Sequence, residues 1–194
     1  MAGYTKYTAI LDACVLYPVT IANILMELAW QGVYTAKWTQ EIDNEWIKSL
    51  KKNRPDLTDE KIKHRLNNMH KAIPDWEIPN KKYKKLIPAL QLPDSNDRHV
   101  LAAAIAGHAD CIVTKNTKDF PIHRTEEYGV EVLHPDDFIL LQLTLNSIES
   151  LTVIKYLRAR AKNPSLSPAE FIESLDKVEL VRTADHLRQA IELI

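Results

Sequence analysis

The sequence predicts an α/β protein, with a central, mostly parallel sheet followed by a tail built of helices alone. Short apolar runs suited to buried strands alternate with longer stretches of helical period as far as about Asn146. Acids stand just past two of those runs, where the C-terminal ends of parallel strands gather functional groups. Beyond Asn146 the strand-like runs stop and only helical pattern remains. The natural division is therefore residues 1–145 as the α/β unit and 146–194 as a helical extension.

Tyr7 to Leu11 is a β-capable run that ends on Asp12. Pro18 opens a strongly apolar helix, Val19 to Trp30, and Gly32 suits its stop. Val33 to Trp38 reads as a short strand. From Thr39 the pattern TQEIDNEWIKSLKK is helical, with a capping Thr, early acids, and Ile42, Trp46 and Leu50 along one face. Pro55 breaks it, and Thr58 starts another helix running to about Ala72. A passage punctuated by Pro74, Pro79, Pro88 and Pro93 follows, with the cluster KKYKK inside it. Ser95 or Asn96 is placed to cap an alanine-rich helix, Val100 to Ala106, ended by Gly107. Cys111 to Thr114 and Val130 to Leu133 are further strand candidates, and Pro135 begins DDFILLQLTL as a helix. The tail reads as Ser147 to Lys162, a break at NPSLSP, Pro168 to Leu175, and a last helix to Ile194.

With 194 residues the chain can bury a proper core without disulfides or structural metal. At 45% hydrophobic and 26% charged residues it has the balance of a globular protein, neither a disordered tail nor a membrane protein. Lys+Arg 25 against Asp+Glu 26 gives a net charge of −1, so any attraction for nucleic acid must be local. Cys14 and Cys111 stand far apart beside apolar runs, as reduced thiols do. The first residues lack the pattern of a signal peptide, and no run approaches the ~20 apolar residues that span a bilayer. The expected compartment is the cytoplasm.

The acids carry the chemistry. Asp12 ends the first strand, Glu45 lies in a helix near its apolar face, Asp97 starts the alanine-rich helix, and Asp119 follows the strand at Cys111. Asp12 alone would suit a helix cap equally well. Gathering such groups is costly, since two carboxylates about 4 Å apart repel by roughly 4 kcal/mol at an effective dielectric of 20. A hard divalent cation removes that cost, and oxygen-only donors suit Mg²⁺ or Mn²⁺.

The segments ILDACVLYP (Ile10 to Pro18), EIDNEW with Glu45, LPDSNDRHVLAAAI (Leu92 to Ile105) and IVTKNTKDFP (Ile112 to Pro121) resemble, in order and spacing, the four acidic motifs of PIN-domain nucleases. The likeness is closest to VapC-type toxins of toxin–antitoxin pairs, in the branch with an added helical C-terminal segment, and covers about Tyr7 to Leu141. The resemblance implies a three-layer α/β/α fold in which Asp12, Glu45, Asp97 and Asp119 hold one or two Mg²⁺ or Mn²⁺ ions. It further implies hydrolysis of RNA, tRNA or rRNA among the targets, leaving a 5′-phosphate and a 3′-hydroxyl, and an antitoxin as protein partner. Asn116 stands where other members carry Asp, which weakens a second ion site. Thr114 matches the family's small hydroxyl residue and is suited to positioning water.

Other residues have plainer readings. Asp94 suits a loop acid or a support to the site in preference to an extra metal ligand, and Glu41 and Asp43 suit solvated first-turn acids. Arg98 suits either a surface role or a phosphate contact, and His99 packing or hydrogen bonding in preference to metal. The histidines lack zinc-site spacing. Trp30, Trp38, Trp46 and Trp76 suit the core. The runs Lys48 to Arg54, Lys61 to Arg65 and Lys81 to Lys85 are either solvated faces or an RNA-backbone track, with Lys48, Lys51, Lys52 and Arg98 as the nearest candidates to the acids. Two alternatives compete with the nuclease. One is a catalytically weak PIN module that binds RNA or a protein. The other, a phosphohydrolase with an aspartyl nucleophile at Asp12, needs a second Asp two residues on, where this chain has Cys14. The C-terminal helices suit a homodimer contact, an antitoxin dock or a cover for substrate.

Overall fold

The computed structural model describes residues 6–161 and 165–194. Its sheet contains β1 (Thr8–Leu11), β2 (Thr35–Lys37), β3 (Cys111–Val113) and β4 (Glu131–Leu133), in the order β2-β1-β3-β4 with every pairing parallel. Ala9 lies opposite both Ala36 and Cys111, and Ile10 opposite Lys37 and Ile112. Ala9 to Leu11 and Cys111 to Val113 are fully buried, the signature of strands covered on both faces. From β1 the chain winds to one side for β2 and then to the other for β3. The winding thus reverses between β1 and β3, and a crevice is expected beyond the C-terminal ends of those two strands.

The long helices follow the sequence expectation. They are α2 (Val19–Trp30), α3 (Gln40–Asn53), α4 (Asp59–Ala72) and α6 (Arg98–Ala106), joined by three four-residue helices: α1 (Ala13–Leu16) before α2, α5 (Asn80–Tyr83) between α4 and α6, and α7 (Ile122–Thr125) after α6. Thr39 accepts from Ile42 N at 3.2 Å and Thr58 from Lys61 N at 3.4 Å, as caps should. Gly32, at φ +77°, takes the left-handed turn that lets Val33 N return to Leu28 O and close α2. The start of α6 differs from expectation. Ser95–Asp97 form a 3-10 turn opened by Asp94, whose carboxylate accepts from Asn96 N at 2.8 Å. Asp97 takes the cap position but makes no side-chain capping bond, so its carboxylate is free to face the crevice.

The tail comprises α8 (Pro135–Leu145), α9 (Ser147–Arg160), α10 (Pro168–Asp176) and α11 (Val181–Gln189). The expected end of α9 at Lys162, and Asn163 and Pro164 of the break, lie outside the described residues. Ser167 and Glu170 form a complete capping box on α10. Helix α9 packs on α2, where Arg160 pairs with the buried Glu27, while α8 packs on α9 and α11. Buried Asp136 accepts from Arg182 N and Thr183 N, both at 2.8 Å, and so caps α11 from another helix. Trp38, Trp46 and Trp76 are in the core as expected, but Trp30 is 57% exposed. Both cysteines are free. Among the described residues no helix is long and apolar enough to cross a membrane.

Candidate active site

Asp12 leaves the end of β1 and is nearly buried, at 6% exposure. Its Oδ1 accepts from Ala13 N at 2.6 Å, capping α1, and its Oδ2 accepts from Thr114 Oγ1 at 2.6 Å and from Cys14 Sγ at 3.0 Å. Asp12 thus caps α1 and at the same time lines the crevice. Thr114, at the end of β3, also accepts from Asn116 N at 3.0 Å, and Lys115 N donates to Cys14 Sγ at 3.1 Å. Both central strands thus fix one carboxylate. Burial and then the charge of Asp12 push the Cys14 thiol up to about 12, so it serves as a neutral donor and not as a thiolate.

Around Asp12 opens a cavity of about 510 Å³ whose wall includes Glu45, Asp97, Asn116, Lys115 and Cys14. Glu45, Ser49 and Asn53 line it at successive turns of α3, a helical spacing that the sequence could have disclosed. The Asp97 carboxyl is pushed up to about 6, first by burial and then by Asp12, Asp94 and Asp119, with His99 opposing. Glu45 Oε1 lies 3.0 Å from His99 Nε2. Burial alone would lower the His99 pKa, but the hydrogen bond to Glu45 and the charges of Glu45, Glu41 and Asp12 raise it overall.

The predicted residues separate into groups. Asp12, Glu45, Asp97 and Asn116 share the cavity wall. Thr114 stands behind Asp12. Asp119 and Asp94 act on Asp97 through their charge without belonging to that wall. Lys48, Lys51, Lys52 and Arg98 are absent from it as well. Lys51 pairs with Asp59 at 2.7 Å, and Arg98 Nε is buried without a partner among the described residues. Arg65, read as part of a basic run, instead donates to Leu16 O and Tyr17 O and lies 4.9 Å over the Trp46 ring. The basic group at the cavity is Lys115, which the sequence pattern did not single out. Its Nζ pairs with Glu179, which sits at φ +67° after α10.

Asp43 departs most from expectation. It is fully buried on the other side of α3 and accepts from Trp38 Nε1 at 3.1 Å and Trp46 Nε1 at 2.9 Å, with His70 Nε2 at 2.8 Å. Glu41 is not a free first-turn acid either, since the Tyr83 hydroxyl donates to it at 3.2 Å.

Whether the cavity suits a cation turns on its donors. They are hard oxygens of like charge, and the neighbouring carboxylates of Asp12, Asp94 and Asp119 add to burial in raising the Asp97 carboxyl. Among the described residues no group of three or more His, Cys, Asp or Glu side chains stands close enough together to hold a metal ion as placed, and the acids are spread around the cavity wall. An oxygen-lined rim fits Mg²⁺ or Mn²⁺, which keep several waters. A larger cavity of about 700 Å³, walled by Phe120, Pro121, Ile122 and Val130, lacks this acid set.

A family model described as PIN domain matches residues 8–118, and one described as VapC50 C-terminal domain matches residues 135–189. The protein named "Putative ribonuclease VapC50" in Mycobacterium tuberculosis (strain ATCC 25618 / H37Rv) is 39% identical over 93 residues. Those residues are 48% of this chain and 54% of that protein, so the chain spans about half the length of the curated relative it matches. No solved structure gives a match.

Proposed function

We propose, for a chain that belongs to the PIN-domain family, that the crevice at β1 and β3 is the active site of a divalent-cation-dependent endoribonuclease, the toxin of a toxin–antitoxin pair. The observation that carries this reading is the convergence of Asp12, Glu45 and Asp97, from three different elements, on one cavity wall. Asp12 and Asp97 would hold a Mg²⁺ or Mn²⁺ ion with Glu45, with Asn116 beside them on the wall and Asp119 adding its charge from outside it. When bound, the ion supplies Lewis acidity and makes water nucleophilic near neutral pH.

The chain's own residues do the rest. Thr114 and Ala13 N hold the Asp12 carboxylate in one orientation, as a preorganised ligand requires. Cys14 stays protonated, which leaves water as the attacking group. In-line attack on phosphorus breaks the P–O3′ bond, so the 3′-oxygen leaves and takes up a proton while the phosphate stays on the 5′ side. Lys115 at the cavity is the nearest cation for a non-bridging phosphate oxygen, with Arg98, Lys48, Lys51 and Lys52 as outlying backbone contacts. The relative's name supports RNA as substrate, and an antitoxin as partner follows from the toxin reading.

Purified protein with Mn²⁺ is expected to cut RNA, and Asp12→Asn or Asp97→Asn to slow it more than about 100-fold, since even a residue behind a ligand costs 10–100-fold. Continued cutting by both variants removes the assigned site. A binding module with little catalysis is the second reading, favoured by Asn116 on the wall where an acid would strengthen a second ion site. Retained RNA binding with neither Mn²⁺ affinity nor cleavage would establish it.

A further inference from the structure

We infer that His99 is a positioning residue for the cation site, holding Glu45 at the cavity wall through its Nε2. The inference rests on the nuclease reading above. His99 lies on the first turn of α6, two residues after Asp97, and is only 4% exposed. Its Nε2 is 3.0 Å from Glu45 Oε1, and its Nδ1 is 4.0 Å from Glu41 Oε2. Nδ1 is buried and has no hydrogen-bond partner among the described residues. Leaving a buried polar atom unmatched costs about 1–3 kcal/mol. Packing does not explain that cost, because Val100 and Leu101 beside it on α6 fill the core with apolar groups at no such expense.

Glu45 does explain it. Its side chain is 41% exposed and rotates about several bonds, so ordering it only when a cation arrives would cost free energy. Glu41 and Glu45 are also one helical turn apart with like charge, an arrangement that pushes their side chains apart. The imidazole lies against both, 3.0 Å from Glu45 and 4.0 Å from Glu41. The Tyr83 hydroxyl lies on the far side of Glu41, its one proton shared between Asn80 Oδ1 at 2.6 Å and Glu41 Oε2 at 3.2 Å. A row of polar groups therefore runs from Asn80 and Tyr83 of α5 past Glu41 to His99 and ends at Glu45, one of the three carboxylates that line the cavity.

The test is Mn²⁺ affinity measured by calorimetry on the full chain without RNA, beside RNA cleavage. His99→Met is expected to bind Mn²⁺ 10–100-fold more weakly and to lower kcat with little change in KM for RNA. His99→Gln, whose amide nitrogen falls near the place of Nε2, is expected to keep most of the affinity. A folded His99→Met with wild-type affinity overturns the assignment, as does a folded His99→Gln as weak as the Met variant. If His99→Met does not fold, His99→Gln is compared with His99→Asn, whose shorter amide falls short of Glu45. Equal affinities of those two overturn it. Wild-type protein without Mn²⁺ affinity would defeat the nuclease reading itself, and this assignment with it.

Discussion

At Asp97 the charges of Asp12, Asp94 and Asp119 act on a side chain already partly stripped of water, and the carboxyl is pushed up to about 6 from 3.8. Because the folded value is the higher one, the stability this residue contributes is full below about pH 4 and is lost as the pH rises through 6. A shift of that size would amount to about 3 kcal/mol, discounted to roughly 1 kcal/mol for a half-exposed group. In EDTA at pH 7.5, Asp97→Asn should therefore melt above wild type, with the gap closing by pH 4. A variant that melts below wild type at pH 7.5 contradicts the account. Saturating Mn²⁺ should reverse the order, since it stabilises only a chain that binds it. That Asp12, Glu45 and Asp97 line one crevice was legible because Asp12 ends a strand, Glu45 lies near the apolar face of a helix and Asp97 starts another helix. Asp43 was not told from Glu41 although Trp46 follows it by one turn of α3, because its other partners, Trp38 and His70, come from outside that helix.

Helices announced by a cap and a sustained period were legible, as at Thr39, Thr58 and Ser167. The four-residue helices α1, α5 and α7 were not, being too short to show a period. Helix α11 has no side-chain cap of its own, and its first turn is satisfied by Asp136 from α8. No local pattern could reveal that bond, which joins residues 46 apart in the chain. Asp136→Ala would leave the amides of Arg182 and Thr183 without an acceptor. The expected loss is about 2–3 kcal/mol by denaturant titration, with RNA cleavage per folded molecule unchanged. A loss under about 0.5 kcal/mol, the size of an ordinary surface change, would mean that α11 is held by packing alone.

For the molecule as a whole, the strand-then-helix alternation disclosed a parallel sheet, but not that its winding reverses where Asp12 and Thr114 meet. We propose the division at Asn146, with α8 kept on the nuclease side, although α9 and α11 cover it. The tail also reaches the crevice, through Glu179 on Lys115. Glu179→Gln on an Asp12→Asn background should tighten RNA binding at low salt and steepen its log–log salt dependence by about 0.7, the value for one added contact to single-stranded phosphate. An unchanged slope would show that Lys115 does not meet the backbone. The Thr114–Asp12 hydrogen bond has a further consequence, in the time course of synthesis. Its partners are 102 residues apart, and at about 5–20 residues per second the ribosome needs roughly 5–20 s to pass from one to the other. Throughout that interval the nascent chain has made Asp12 but not the hydroxyl that anchors it. A chain stalled before β3 should therefore be harmless to the RNA around it, and the cutting centre becomes competent only late in translation.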